Sequence, residues 1–177
     1  GHSAGSALAA RMALQGRIAP TRIIAIAPAL MPWEGIAQHL FTPMAKMLAG
    51  SSFMPRLFSR MSGSQESVQR LITRIGSEPV DEMVRCYRVL VRNEVHVANT
   101  LTMLARWDLA SLTPALPLMT VPIDLVVGAT DKAVPPEQAR QAAKLLPDAR
   151  MHWLHGKGHL VHEEQPQAVA RIIYESL

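Results

Sequence analysis

Gly1-His2-Ser3-Ala4-Gly5, at the start of the sequence, restricts the fold more than any other stretch. A serine with a glycine two positions away on each side marks a sharp strand-to-helix turn, in which larger flanking side chains would collide with neighbouring backbone. Such a turn lifts the Ser3 hydroxyl clear of the sheet. Ala4 to Met12 is a run of small residues and strong helix formers, so a helix is expected to open directly after the serine. The Ala4 N–H, free at the start of that helix, can stabilise an oxyanion. An elbow also needs an apolar strand leading into it, and the sequence opens at the elbow, so the chain reads as the C-terminal part of a longer protein.

A core is affordable: 177 residues, 49% hydrophobic and 18% charged, suit an ordinary globular domain. Cys86 is the single cysteine, which excludes an intrachain disulfide and fits a reducing compartment, so a cytoplasmic location is expected. No run of about 18 uncharged apolar residues appears. The net charge of +4 comes with no zinc-finger spacing or stacked aromatic motif, and no nucleic-acid partner is expected. Between Lys46 and Arg74, the basic residues Lys46, Arg56, Arg60, Arg70 and Arg74 face Glu66 alone. That excess fits a solvated helix face, or attraction to anionic lipid or an acidic partner.

Along the chain, Arg22 to Pro28 reads as a strand buried on both faces, so strand, helix and strand make a parallel βαβ unit. From about Gly35 to Ala110 the periodicity is helical only. Ile36, Leu40, Phe41, Met44 and Leu48 form one stripe, and Val68, Leu71, Ile72 and Ile75 another, with Gly76 as its C-cap. Pro79 is expected as a first helical residue ahead of Val80, Met83, Val84, Tyr87 and Val91, and Val97, Leu101 and Leu104 follow. So long a helical insert between sheet strands predicts a lid, dividing the chain into core (1–34), helical lid (35–110) and core (111–177). Six of the ten methionines, Met44, Met47, Met54, Met61, Met83 and Met103, lie in this region, and Met31 stands just ahead of it. Met44, Met47, Met103 and Trp107 are candidates for lining an apolar substrate pocket, although packing between helices explains the methionines equally well.

The sheet resumes with Val121 to Gly128, which runs into Asp131 before a helix that opens around Val134, Pro135 and Pro136. Ala149 to Leu154 gives a last strand, with Gly156 to His159 as the loop at its end. Glu163 and Glu164 load the first turn of a terminal helix. Ser3, Asp131 and His159 thus all stand at carboxyl ends of strands, where open α/β sheets build sites. A serine hydroxyl needs an imidazole base, and the imidazole needs a carboxylate to hold its tautomer. Asp108 is the fallback acid. His2 is expected to pack or hydrogen-bond beside the elbow. His152, His155, His159 and His162 do not have the spacing of a metal cluster, and neither metal nor cofactor is expected.

Gly-His-Ser-Ala-Gly, Val-Val-Gly-Ala-Thr-Asp-Lys-Ala-Val-Pro-Pro and Gly-Lys-Gly-His-Leu-Val-His-Glu-Glu-Gln-Pro together resemble the C-terminal two-thirds of an α/β-hydrolase. The order of serine, acid and histidine is also the order of that superfamily. More narrowly, Ala-Arg-Met-Ala-Leu after the elbow, Leu-Val-Arg-Asn ahead of a His-Val, Trp107-Asp108-Leu109 and His162-Glu163-Glu164 are similar to the BchO-type magnesium-chelatase accessory proteins of bacteriochlorophyll biosynthesis.

The superfamily resemblance implies Ser3 as nucleophile, His159 as base, Asp131 as orienting acid and the Ala4 N–H as one oxyanion donor. The second donor would come from a loop that this sequence does not contain, so the chain by itself is expected to be inactive. The narrower resemblance implies magnesium-porphyrin precursors as ligands and chelatase subunits as partners, with peripheral membrane contact through the basic stretch. Three readings stay open: a lidded serine hydrolase with a chelatase-accessory role, a non-catalytic tetrapyrrole-binding or chelatase-contacting protein, and a generic esterase or carbon–carbon hydrolase.

Overall fold

The computed structural model describes residues 1–32 and 53–176. The predicted stripe from Ile36 to Leu48 lies outside these residues. Among them the chain divides into two compact units, one built from Gly1–Pro32, Arg74–Glu78 and Leu109–Leu177, the other from Trp33–Thr73 and Pro79–Asp108.

The first unit is the expected α/β structure. Helix α1 (Ala4–Leu14) follows the elbow, and strand β1 (Ile23–Ile26) follows α1. A short 3₁₀ helix (Thr113–Leu118), which the sequence reading did not anticipate, precedes strand β2 (Ile123–Gly128). Helix α6 (Pro136–Leu145) then leads to strand β3 (Ala149–Leu154), and α7 (Val161–Glu164) and α8 (Pro166–Glu175) finish the chain. The strands lie in the order β1-β2-β3, all parallel, with Ile24 opposite Asp124 and Asp124 opposite Arg150. A parallel bridge from His2 to Ile26 places the elbow beside β1.

All six residues of β2 are buried, as a strand covered on both faces requires. Because side chains alternate along a strand and the strands are in parallel register, the even-numbered residues share one face. There Ile24, Ile26, Val126 and Leu154 pack against Val161, Val169 and Ile172 of α7 and α8. The odd-numbered Ile23, Ala25, Ile123, Leu125 and Val127 turn the other way and are buried, more fully than Ile24, Ile26 and Leu154.

The terminal helix is split where one continuous helix was expected. Pro166 has no N–H to donate and its ring crowds the preceding turn, so α7 stops at Glu164, Gln165 takes a non-helical conformation, and Pro166 opens α8.

The second unit is helical throughout its described part: α2 (Met54–Ser62), α3 (Gln65–Arg74, whose last residue belongs to the first unit), α4 (Asp81–Arg92) and α5 (Glu94–Ala105). Met83, Val84 and Val97 are buried, whereas Val80 is exposed and Pro79 lies outside the helix. Helix α4 instead starts at Asp81, where Asp81 and Glu82 meet the positive end of the helix dipole. Asn93 caps α5 by accepting the His96 N–H at 3.0 Å. Among the described residues no helix is long and apolar enough to cross a membrane.

Candidate active site

The elbow stores backbone strain at the serine. Ser3 sits at φ 50°, ψ −118°, a region that side-chain-bearing residues avoid at a cost on the order of 1–3 kcal/mol. Neighbouring bonds hold it there: the Ser3 N–H donates to the Ile26 carbonyl at 2.8 Å, and the Ser6 hydroxyl to the Gly1 carbonyl at 2.8 Å. The Ser3 hydroxyl makes no capping bond to its own helix.

Gly1 is sterically required, since a Cβ there would lie 2.5 Å from the Gly5 carbonyl oxygen. Gly5 is not: a Cβ at Gly5 meets no atom within 4 Å among the described residues, which corrects the expectation that both flanking glycines are needed. Ala4 is the first residue of α1, so its N–H stands at the helix's positive end.

The acid and the histidine meet. Asp131 follows β2 in a tight turn, its own N–H donating to the Gly128 carbonyl at 3.2 Å. Its Oδ1 accepts the Ala133 and Val134 N–H groups at 2.8 and 2.9 Å, and its Oδ2 pairs with His159 Nδ1 at 2.8 Å. Both side chains are buried. With Nδ1 committed to the carboxylate, the ring carries its reactive lone pair on Nε2, the arrangement a general base requires. Among the described residues no hydrogen bond joins Ser3 to His159.

His2 lies beside this pair. Its Nε2 is 2.9 Å from the His159 carbonyl oxygen, and its ring centroid stands 4.8 Å from that of His159 and 4.4 Å from that of His162. Burial, the largest influence, lowers its pKa to about 4 from 6.5, so His2 is neutral at physiological pH and can donate to that carbonyl. Burial likewise lowers the pKa of His162.

The other candidates separate. Asp108, the fallback acid, is exposed and belongs to the second unit. So do Met103, 45% exposed, and the half-buried Trp107, while Met44 and Met47 lie outside the described residues. His155 falls in the turn beyond β3, and His152 binds Asp124 rather than joining the other histidines. Among the described residues no three His, Cys, Asp or Glu side chains are grouped to hold a metal ion.

One polar cluster escaped the sequence reading. Asp124, fully buried in β2, pairs with Arg22 Nη1 and with His152 Nε2, each at 2.6 Å. The signal was there: Asp124 is the lone charge in an apolar strand, and Arg22, Asp124 and His152 share the even-numbered face.

The chain matches the family model described as the alpha/beta hydrolase family over residues 1–172. It is 34% identical over 177 residues to the Magnesium-chelatase 30 kDa subunit of Rhodobacter capsulatus, covering 100% of this chain and 61% of that protein. Among solved structures it is similar to an alpha/beta hydrolase fold protein from Burkholderia ambifaria, with TM-score 0.75, 18% identity, and 98% of this chain and 63% of that chain covered. It is also similar to an esterase from Thermogutta terrifontis, with TM-score 0.70, 22% identity, and 99% and 62% covered. The chain therefore spans less than two thirds of the length of these relatives, and at such identities the solved structures speak for the fold alone.

Proposed function

Since the chain belongs to the alpha/beta hydrolase family, we propose that it carries serine-hydrolase machinery and serves as a magnesium-chelatase accessory factor in bacteriochlorophyll biosynthesis. In this reading Ser3 attacks a carbonyl of an ester or related bond, and His159 Nε2 takes the hydroxyl proton and later gives it to the leaving group. Asp131 holds the tautomer and stabilises the imidazolium, and the Ala4 N–H receives the developing oxyanion together with a donor from chain outside these residues. The helical unit acts as a lid.

The observation that carries the proposal is the 2.8 Å bond from His159 Nδ1 to a carboxylate already anchored by two backbone N–H groups. The strained conformation of Ser3 supports it, because backbone strain of this kind is kept where a nucleophile must project. The pathway role rests on the likeness to the Rhodobacter protein. The substrate class we propose is a tetrapyrrole or another bulky apolar ester, met by the methionines of the helical unit and Trp107. Chelatase subunits are the proposed partners, with the arginines of that unit meeting propionates or an anionic membrane surface.

The competing reading, a binding protein that keeps the triad without using it, draws on the same likeness to a chelatase subunit. A fluorophosphonate probe applied to the full-length protein separates the two. Labelling that disappears in Ser3→Ala, which removes the oxygen the probe bonds to, is expected for working machinery. Absence of labelling, together with unchanged magnesium insertion in cells carrying Ser3→Ala, would leave the binding role standing and remove the catalytic one.

A further inference from the structure

Five residues, Arg74–Glu78, leave the helical part of the sequence and belong to the first unit. They touch the acid loop and the histidine loop together. The Ile75 carbonyl accepts the Lys132 N–H at 3.2 Å and the His159 N–H at 3.3 Å, so a single oxygen ties the residue after Asp131 to His159 itself. The Gly76 carbonyl accepts the Thr130 hydroxyl at 3.3 Å. The buried Ser77 hydroxyl oxygen accepts the Leu160 N–H at 2.8 Å. Thus Thr130 and Lys132, on either side of the acid, and His159 with its successor are all gripped by three consecutive residues.

The approach is backbone to backbone. Gly76 has φ 87°, and a Cβ there would run into the Thr130 carbonyl; one at Gly158 would run into Gly76, and one at Gly128 into the Gly158 carbonyl. Three glycines interlock, and no side chain fits between them. Outside the strap, the Glu164 carboxylate accepts the Gly158 N–H on Oε1 at 2.9 Å and the Glu78 N–H on Oε2 at 3.4 Å, closing the far end of the strap onto the histidine loop.

We infer that Arg74–Glu78 is a strap that sets the separation of the acid and histidine loops, with Ser77 and Glu164 as positioning residues for His159. The inference deepens the hydrolase reading and rests on it for its catalytic consequence. The physical reason is that a carboxylate–imidazole bond orients a base only while both loops hold register, and misplacement of about 1 Å costs on the order of 10²-fold in rate. The Asp131–His159 bond alone does not fix the register, because each loop can still pivot about it. A second tie on the backbone side of both residues removes that freedom.

The test uses the full-length protein and two readouts: the rate of fluorophosphonate reaction at Ser3 across pH, and the downfield proton resonance of His159 Nδ1–H. Ser77→Ala is expected to slow phosphonylation about tenfold, consistent with loss of one buried hydrogen bond, and to speed solvent exchange of the Nδ1 proton. Glu164→Ala is expected to do the same more weakly, and Glu164→Gln, which keeps an oxygen for the Gly158 N–H, to restore both readouts. Should Ser77→Ala not fold, the Glu164 pair decides. A lower melting temperature with an unchanged phosphonylation rate and an unchanged Nδ1 resonance overturns the inference. If the unsubstituted protein does not react with the probe, the hydrolase reading falls separately, and the resonance still decides whether the strap positions His159.

Discussion

Two histidine–aspartate pairs tie β2 to β3 and its following loop, each spanning 28 residues of sequence, and they are built for opposite ends. Near the amino end of the sheet, Asp124 is met from two sides, its charge balanced by the Arg22 guanidinium and its other oxygen bonded to His152 Nε2. Beyond the carboxyl end, Asp131 meets no arginine among the described residues; its other oxygen is held by backbone N–H groups, and it meets His159 through Nδ1. The first arrangement ends in an ion cluster whose charge is spent. The second leaves the imidazole's outer nitrogen for work and a carboxylate able to stabilise positive charge when it appears. What separates a structural pair from a candidate catalytic one is which ring nitrogen is engaged and what else faces the acid.

The largest expected effect comes from replacing each acid by its amide. Asp131→Asn keeps Oδ1 for the Ala133 and Val134 N–H groups but sets an NH₂ against His159 Nδ1, which forces the other tautomer. Phosphonylation of Ser3 in the full-length protein is expected to fall about 10⁴-fold with little change in melting temperature. Asp124→Asn is expected to leave phosphonylation of the folded protein unchanged. Equal losses of reactivity in both variants would erase the distinction between the pairs.

Asp124→Asn is instead expected to lower stability, by about 3 kcal/mol, because the Arg22 charge keeps its place and loses its counter-charge. The figure sits at the low end of what breaking a buried pair costs, since the Arg22 side chain is still 20% exposed and can recruit water. Urea unfolding of both variants measures it. A loss under about 0.5 kcal/mol would place this cluster with ordinary surface ion pairs and make the contrast one of position only.

How much of this could be read from the letters follows from which atoms carry the constraint. The turn at Ser3 and the pairing of Asp131 with His159 were legible because strand ends and a glycine-bounded serine leave a pattern in side-chain identity. The requirement at Gly1 left the same trace, but the one assigned to Gly5 did not hold, since Gly5 faces open space among the described residues. Asp124 is legible through parity once the register of β1, β2 and β3 is known, and register between distant strands is not written in any local stretch. The strap at Arg74–Glu78 was hidden more deeply. Gly76 looked like a helix C-cap and has the positive φ of one, yet its neighbours act through the Ile75 and Gly76 carbonyls, which every sequence possesses.

The smallest effect is a matter of pH, and it isolates the Asp124 cluster from the rest of the molecule. Burial pushes the Asp124 pKa up, but hydrogen bonds from His152 and Arg22 and their charges outweigh it, and the carboxyl sits below its ordinary 3.8. A carboxyl whose folded-state pKa is depressed stabilises the fold fully above its unfolded value and loses that contribution as pH falls through the lower folded one. His2, whose pKa falls from 6.5 to about 4, behaves differently: stability drops as pH goes from 6.5 toward 4, because the unfolded chain takes the proton first. That slope is common to the unsubstituted protein and to Asp124→Asn, so it cancels in their difference. The Asp124 contribution to the stability gap between the two is therefore expected to hold from neutral pH to about 4 and to narrow only in more acid solution, as read by urea midpoints at half-unit intervals. A gap that closes between pH 7 and 5 would overturn the assignment of this contribution to the Asp124 carboxylate.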